Sequence, residues 1–226
     1  MAYNFKEKEE VELFIKNLGI EYRFGCFSEK KTEVCHLLGD YEESINSNYK
    51  KAFAIYKNNC DNYNHAQSCY KAGGYYMQGK AMEKIDDFKA IDYLEKGCKL
   101  GFARACYRGA SLITNSPNKV RDYTQGLEMY DKACNSEIAD GCFALNTFYL
   151  FGSEEHNVTK DLPKAAKYAE RGCDLDHLAC CTNISHMYMR GDGVEKNETL
   201  AKKFMQKAKD IERQESTTIE FELGLR

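Results

Sequence analysis

Apolar residues recur along the chain at the spacing of one face of an α-helix. In one stretch the apolar positions Phe88, Ile91, Leu94 and Cys98 are separated by three, three and four residues. This spacing predicts a helix that buries one face, because 3.6 residues complete a turn. A helix with a single apolar face needs a neighbour to cover it, so the pattern also predicts helices that pack in series.

Glycines interrupt the helical pattern at corresponding places. Gly79, Gly152 and Gly191 each follow a stretch that contains aromatic residues and precede a polar loop, after which a second helical stretch begins. Glycine is favoured there because it adopts the left-handed conformation that ends a helix. Each unit is therefore predicted to be a helix, a loop and a second helix.

The units repeat along the chain, which predicts an all-α fold, a right-handed superhelix (solenoid) of about five helix pairs. The two ends depart from the repeat. The apolar face of the N-terminal segment carries Val11, Phe14, Ile15 and Leu18, and the first repeat turns through residues 42–46 without a Gly-x-Gly loop. The predicted single array, 1–226, comprises a capping helix at 5–18, a degenerate repeat at 32–60, repeats at 66–100, 103–137, 139–175 and 178–211, and an irregular tail at 214–226.

Ten of the eleven cysteines form five pairs that recur every 34 to 39 residues. Each pair lies where the second helix of one unit meets the first helix of the next, and a tight turn can bring such positions within disulfide distance. An even number of cysteines so spaced predicts structural disulfides and an oxidising compartment. The predicted pairs are Cys26 with Cys35, Cys60 with Cys69, Cys98 with Cys106, Cys134 with Cys142, and Cys173 with Cys181.

Cys180 is left over. The register of the other units puts Cys181 opposite Cys173, but a bond from Cys173 to Cys180 stays open. The residues that precede the second cysteine in other units are small: Ser68, Ala105 and Gly141. Cys180 is therefore expected to be a small buried apolar residue. The competing interpretation is a free thiol that exchanges with a partner, which requires exposure and a lowered pKa.

Composition and charge exclude several functions. The net charge is −3 and the pI about 6.0, which argues against nucleic acid because phosphate binding needs a basic face. The first ten residues lack the apolar segment of a secretory signal and the arginines of a mitochondrial presequence. No apolar run has the length of a membrane span. The cysteines thus predict an oxidising compartment, but no signal that would direct the chain to such a compartment is recognised in these ten residues.

Catalytic and metal-binding motifs are weak. The Ser-x-x-Lys element of β-lactamases occurs without Ser-Asp-Asn or Lys-Thr-Gly, so hydrolysis is rejected. Zinc is disfavoured because the paired cysteines are too far apart in sequence, and no C-x-x-C-His attaches haem. We therefore predict no catalytic residue and no metal site. The Ser-x-x-Lys pairs are Ser28/Lys31, Ser47/Lys50, Ser68/Lys71 and Ser116/Lys119.

Histidines and tyrosines could form binding sites. Histidine can ligate haem or a metal, but these five share no motif and are expected on polar helix surfaces: His36, His65, His156, His177 and His186. Tyrosines near the ends of first helices are expected mostly to pack, and some to line a face that binds an extended or helical partner. These are Tyr75, Tyr76, Tyr149 and Tyr188.

The repeats carry a family resemblance. Their pattern of Ala or Gly, Tyr, Gly-x-Gly-Val, Lys-Ala and Lys-x-x-x-x-Gly-Cys resembles Sel1-like repeats, relatives of the tetratricopeptide repeat, in the disulfide-bridged form of the cysteine-rich Hcp proteins once described as β-lactamases. From about Glu9 to Arg213 the chain resembles the cytochrome c oxidase assembly factor seven family. The stretches that carry this second resemblance are Phe14 to Cys35, His65 to Gly73, Arg121-Asp122-Tyr123, Cys173 to Tyr188, and Gly191-Asp192-Gly193-Val194.

The resemblance implies a function that composition does not. It implies a monomer in the mitochondrial intermembrane space, required for assembly of respiratory complex IV, with complex I as a further candidate target, and acting through protein partners. It implies import without a presequence by oxidative machinery that traps paired cysteines. Haem enters as a candidate ligand of the family, without a ligating motif that can be placed on this chain.

Two other functions stay open as alternatives. The first is a thiol-disulfide oxidoreductase or haem-binding protein that acts on copper chaperones of the oxidase, which the lack of a C-x-x-C motif disfavours. The second is a secreted cysteine-rich repeat protein that binds other proteins, which the lack of a signal disfavours.

Overall fold

The structure, a computed structural model, describes residues 3–82, 84–116, 122–154 and 157–222. In these residues the secondary structure is helical, apart from an isolated antiparallel bridge between Ser153 and Val158. The predicted all-α repeat fold is confirmed, and none of the described helices is long and apolar enough to span a bilayer. The helices are α1 (Lys8–Phe27), α2 (Thr32–Ser44), α3 (Tyr49–Tyr63), α4 (Ala66–Gln78), α5 (Asp87–Lys99), α6 (Ala103–Asn115), α7 (Tyr123–Asn135), α8 (Ala139–Phe151), α9 (Leu162–Asp174), α10 (Leu178–Arg190) and α11 (Glu198–Glu222).

Two compact units, Met1–Ala105 and Cys106–Arg226, divide the chain. In the first unit, α2 packs against α1 and α3, and α4 packs against α3 and α5. In the second unit, α8 packs against α7 and α9, and α10 packs against α9 and α11. Helices adjacent in sequence are thus adjacent in space within each unit, as expected for stacked repeats. A single array over residues 1–226 stays a prediction.

The N-terminal helix is longer than the capping helix predicted at 5–18. It begins at Lys8 and ends at Phe27, because its glycines are contact positions rather than helix stops. A Cβ atom at Gly19 would lie 2.6 Å from the Tyr41 ring, and one at Gly25 would lie 2.8 Å from Val34. The predicted apolar face of this helix is half-buried; it comprises Val11, Phe14, Ile15 and Leu18.

Polar caps and glycines form the loops within repeats. The carboxylates of Asp86 and Asp161 each accept a backbone N–H from the residue three positions on, at 3.0 Å, which satisfies a donor that the helix N-terminus leaves free. Gly79 and Gly191 end their helices in the left-handed conformation, as predicted. The same prediction is wrong at Gly152. Its φ is 72° but its ψ is 178°, a region restricted in practice to glycine, because the chain turns there directly into the bridge at Ser153.

The first repeat and the tail are more helical than predicted. The turn expected at residues 42–46 begins only at Ile45, because Glu42 is held within α2 by Nζ of Lys51 at 2.6 Å and Nδ2 of Asn46 at 2.9 Å. The tail predicted as irregular at 214–226 is helical as far as Glu222. No proline or glycine interrupts the sequence between residues 198 and 223, so nothing ends the helix earlier.

The predicted apolar face of α5 is buried at three of its four positions. Ile91 and Leu94 are fully buried and Cys98 is 6% exposed, whereas Phe88 is 56% exposed. At about 100° per residue, Phe88 lies at the edge of the face that the other three residues share. Its side chain therefore reaches solvent in spite of the matching sequence period.

Candidate functional site at the helix joints

Cysteine pairs connect consecutive helices at the turns between repeats, which we call joints. The paired Cα atoms lie 4.5 to 4.8 Å apart, and all ten paired cysteines are at most 6% exposed. Burial of the sulfurs protects these bonds from exchange with thiols in solution. The bonds are Cys26–Cys35, Cys60–Cys69, Cys134–Cys142 and Cys173–Cys181; Cys98 and Cys106 are also disulfide-bonded.

Each joint has a second contact, between the two residues that precede the two cysteines. In four joints one of these residues is glycine, and a Cβ atom on it would lie within 3.0 Å of the partner side chain. In the other joint the two residues form a hydrogen bond of 2.9 Å. The missing side chain lets the two helix backbones approach closely enough for the disulfide. The contacts pair Gly25 with Val34, Asn59 with Ser68, Gly97 with Ala105, Ala133 with Gly141, and Gly172 with Cys180.

Cys180 fills the space that Gly172 leaves. It is a free cysteine and fully buried, and a Cβ atom on Gly172 would overlap its Sγ atom. Burial, together with the negative charge of Asp140, raises the pKa of the Cys180 thiol to about 12. A buried, neutral thiol is a poor nucleophile. The structure therefore favours the interpretation of Cys180 as an apolar packing residue, with Cys173 bonded to Cys181 instead.

A buried polar cluster, formed by His36, Asn59, His65 and Ser68, adjoins the joint between α3 and α4. Ser68 Oγ lies 3.1 Å from His36 Nδ1 and 3.0 Å from His65 Nδ1, and Asn59 Nδ2 donates to it at 2.9 Å. His65 Nδ1 also accepts the backbone N–H of Ser68 at 3.2 Å, so this nitrogen carries no proton. One assignment then satisfies the Ser68 hydroxyl and both Nδ1 atoms: Ser68 donates to His65, and His36 Nδ1 donates to Ser68.

The remaining ring nitrogens of this cluster face carboxylates. His65 Nε2 lies 3.1 Å from Glu33, and His36 Nε2 lies 3.7 Å from Asp40. The prediction of surface histidines is therefore wrong at His36 and His65, which are 8% and 9% exposed. Hydrogen bonds to Ser68 compensate for the loss of water around both rings. With both nitrogens of each ring facing polar partners, these histidines do not fit the role of haem ligands.

Stability should depend on the protonation of His36. Burial lowers the pKa of His36 below 6.5, with His65 and Lys71 acting in the same direction and Asp40 and Glu33 opposing it. Below pH 6.5 the unfolded chain binds a proton that the folded protein excludes. The free energy of unfolding should therefore decrease as the pH is lowered, by up to about 1.4 kcal/mol per pH unit. Urea unfolding of the wild type and His36→Asn between pH 7.5 and about 5 measures this slope.

The matched control is His186→Asn, because His186 is exposed. This variant should keep the slope of the wild type, whereas His36→Asn should flatten it. Equal slopes for His36→Asn and the wild type would show that His36 is protonated in the folded protein.

The other histidines occupy different environments. His177 caps the N-terminus of α10 as His65 caps that of α4: its Nδ1 accepts the backbone N–H of Cys180 at 3.4 Å, and its ring stacks on Phe143. Its Nε2 lies 3.6 Å from a carboxylate oxygen of Asp140. His186 is exposed, and His156 lies outside the described residues. The ring nitrogens of His36, His65 and His177 thus face polar partners, so haem does not fit these three histidines.

Ser68 and Lys71, one of the four Ser-x-x-Lys pairs, are both engaged in contacts within the fold. Ser68 is fully buried, and its oxygen is occupied by the polar cluster. Lys71 Nζ lies 2.9 Å from Asp40 and 3.1 Å from Glu43. Although burial opposes it, hydrogen bonds from Tyr56 and Lys71 hold the pKa of Asp40 below its usual value. The lysine is thus engaged by two carboxylates and is not available as a base.

Aromatic side chains stack at equivalent positions of three repeats. In each pair an aromatic ring near the end of the first helix stacks on an aromatic ring of the second helix. The ring centroids lie 5.4 to 5.8 Å apart. Such stacking holds the two helices of a repeat together. Tyr75 is also buried, at 3% exposure, so these tyrosines serve packing. The stacks are Tyr76 on Tyr93, Tyr149 on Tyr168, and Tyr188 on Phe204.

Metal binding finds no support within the described ranges. Among these residues, no group of three or more histidine, cysteine, aspartate or glutamate side chains is arranged to hold a metal ion. The cysteine sulfurs that zinc would need are bonded in pairs. The chemical features of the joints are thus those of structural bridges.

The Sel1 repeat family model matches residues 66–102, 103–137, 139–177 and 178–210. Each match begins at the first residue of α4, α6, α8 or α10. A solved Sel1 repeat protein from Oxalobacter formigenes aligns with a TM-score of 0.70 over 88% of this chain and 84% of its own, at 16% identity. A protective antigen of uropathogenic Escherichia coli with an SLR fold aligns with a TM-score of 0.71 over 86% of this chain and 44% of its own, at 18% identity. These similarities show the fold alone.

Curated relatives align along nearly their whole length. The cytochrome c oxidase assembly factor 7 homolog of Drosophila melanogaster is 36% identical over 100% of this chain and 98% of its own. Cytochrome c oxidase assembly factor 7 of Xenopus tropicalis is 36% identical over 98% and 97%, and that of Homo sapiens 32% over 96% and 96%. The chain therefore belongs to the Sel1 repeat family and, within it, to the cytochrome c oxidase assembly factor 7 family.

Proposed function

We propose that the protein takes part in the assembly of cytochrome c oxidase, complex IV of the mitochondrial respiratory chain. The observation that carries this proposal is the full-length similarity to relatives from an insect, an amphibian and a mammal that are named for this role. Complex I is a further target to be tested in the same experiment.

The intermembrane space of mitochondria is the proposed location. Disulfides persist in oxidising compartments, and this chain carries buried bonds at consecutive joints. A chain whose cysteines pair over only eight or nine residues can be oxidised locally as it enters and is then retained in folded form. Oxidative import machinery is accordingly a proposed partner.

The proposed mechanism is protein binding without catalysis. The joint disulfides are enclosed, and the thiol of Cys180 is buried with a raised pKa, which supports structural roles for all eleven cysteines. Helical repeat proteins present extended surfaces to partners, and a monomer with such a surface suits the handling of an incompletely assembled subunit.

Depletion of the protein in the cells that make it tests the proposal. Assembled complex IV on native gels and cytochrome c oxidation should both fall, and the wild-type chain should restore them. The Cys180→Ala variant should restore them equally, because the side chain acts only in packing. Complex I is measured on the same gels, and protease protection before and after rupture of the outer membrane gives the location.

Two outcomes would contradict this account. Normal complex IV after depletion would remove the proposed function. A folded Cys180→Ala variant that fails to restore complex IV would instead point to thiol exchange, the oxidoreductase alternative.

A further inference from the structure

A groove in the second unit lies between the end of α8, the start of α9 and one face of α10. Its volume is about 290 Å³. His186, Met187 and Arg190 line it from α10, and Lys160 and Leu162 line it from the segment that enters α9. These positions of α10 are separated by one and three residues and therefore lie on one side of the helix.

Two basic side chains of this groove have no acidic partner among the described residues. Lys160 and Arg190 are exposed, and no carboxylate of the described residues lies within ion-pair distance of either. Lys164 and Lys207 of the same unit do have such partners, with Asp161 at 3.1 Å and Asp176 at 2.9 Å. The groove holds one carboxylate of its own, Asp192. Its formal charge is thus positive in a protein of net charge −3, and it attracts anionic groups.

Apolar surface lies next to the two cations. Met187 is buried at 3% exposure and forms part of the floor, Leu162 is half-buried, and Phe151 is 74% exposed at the rim. Protein interfaces commonly combine an apolar anchor residue with charged groups around it. An exposed phenylalanine next to two cations matches this combination.

The groove is held in a fixed shape. Asn183, on the same side of α10, donates from Nδ2 to Asn146 Oδ1 at 2.6 Å. Gly193, with φ of 73°, is packed against the backbone of Leu162 so closely that a Cβ atom would overlap it. A preformed groove binds a segment with less loss of conformational entropy than a mobile one.

We propose that this groove binds an acidic segment of a partner protein, with carboxylates on Lys160 and Arg190 and an adjacent apolar side chain against Phe151, Leu162 and Met187. The guanidinium of Arg190 can hold a carboxylate through two parallel hydrogen bonds. Asp192 repels a second carboxylate at its own end of the groove, which orients the segment. This inference rests on the proposed function, since it names the surface and the chemistry of the partner.

The test uses the purified, oxidised full chain and a fluorescein-labelled peptide in which phenylalanine is flanked on each side by aspartate and glutamate. A second peptide replaces the acids by asparagine and glutamine. Fluorescence anisotropy should show that the neutral peptide binds roughly ten- to a hundred-fold more weakly, because it lacks the charge-assisted hydrogen bonds. The Lys160→Ala/Arg190→Ala variant should weaken binding of the acidic peptide by a similar factor, roughly ten- to a hundred-fold.

A matched control removes two cations elsewhere. The Lys202→Ala/Lys203→Ala variant changes the net charge equally, at exposed positions of α11, and should bind the acidic peptide as the wild type does. Equal weakening by both double variants, or equal binding of both peptides, would overturn the proposal. Because this assay needs no cellular partner, its failure leaves the effect of depletion on complex IV intact, and the two proposals are separable.

Discussion

Reduction of the disulfides should unfold the protein at room temperature. Each bond closes a loop with a sequence separation of only eight or nine, for which chain entropy gives about 2–3 kcal/mol of stabilisation. Single domains of this size are stable by only about 5–15 kcal/mol in total. These bonds, together with the bonded Cys98 and Cys106, therefore supply a contribution comparable with the whole stability.

The measurement compares oxidised and reduced protein after unfolding in urea and dilution into buffer with or without reductant. The oxidised chain should regain its helical circular dichroism, and the reduced chain should not. Thiol counting in denaturant gives the control: one reactive thiol before reduction and eleven after, from the ten bonded cysteines and Cys180. A chain with eleven thiols that refolds with an unchanged urea midpoint would show that packing alone maintains the repeats.

Gly172→Ala should destabilise the protein, and Cys180→Gly should reverse the effect. The added Cβ atom overlaps Cys180 Sγ and lies 3.2 Å from Cys142 Cβ, and overpacking of this kind costs about 1–3 kcal/mol. The double variant re-creates the arrangement of Ala133 and Gly141, in which the alanine belongs to the second helix and the glycine to the next first helix. Urea unfolding of the four proteins should give a coupling free energy of about 2 kcal/mol.

Gly74→Ala is the matched control for this substitution. Gly74 lies inside α4, and a Cβ atom there would meet nothing within 4 Å. The same chemical change should therefore stabilise the protein by about 0.5–1 kcal/mol, since alanine restricts the unfolded chain more than glycine does. Additive effects of Gly172→Ala and Cys180→Gly would mean that the two residues are not in contact.

The repeat architecture could be predicted because it depends on short-range signals. The helix period, the glycines at loop starts and the spacing of Cys134 and Cys142 all act over fewer than a dozen residues. The same local reasoning ended the N-terminal helix at residue 18 and assigned no role to Gly19 and Gly25, because a glycine in a sequence indicates a helix end or a close contact equally well. Only the positions of Tyr41 and Val34 decide between the two.

The polar cluster and the groove could not be predicted from the sequence. Ser68 meets His36 across 32 positions, and the groove combines Lys160 with Arg190 across 30. No local pattern relates such residues, because the stacking of helices brings them together. The spacing did reveal small residues before the second cysteine at Ser68, Ala105 and Gly141, but it did not reveal that the residue before the first cysteine compensates for the size of its partner, as Gly172 does for Cys180.

That reciprocal fit at the joints limits how such a protein can exchange its parts. If the first helix of one repeat followed the second helix of another repeat, the two contact residues of the joint would not match in size. For example, α10 placed directly after α7 would set Cys180 against Ala133, where Gly141 now lies. A cut inside a repeat, between Gly152 and Asp161, keeps both sides of each joint together. Recombination or protein engineering can therefore transfer intact a second helix together with the first helix that follows it. This unit is offset by half a period from the repeat seen in the sequence.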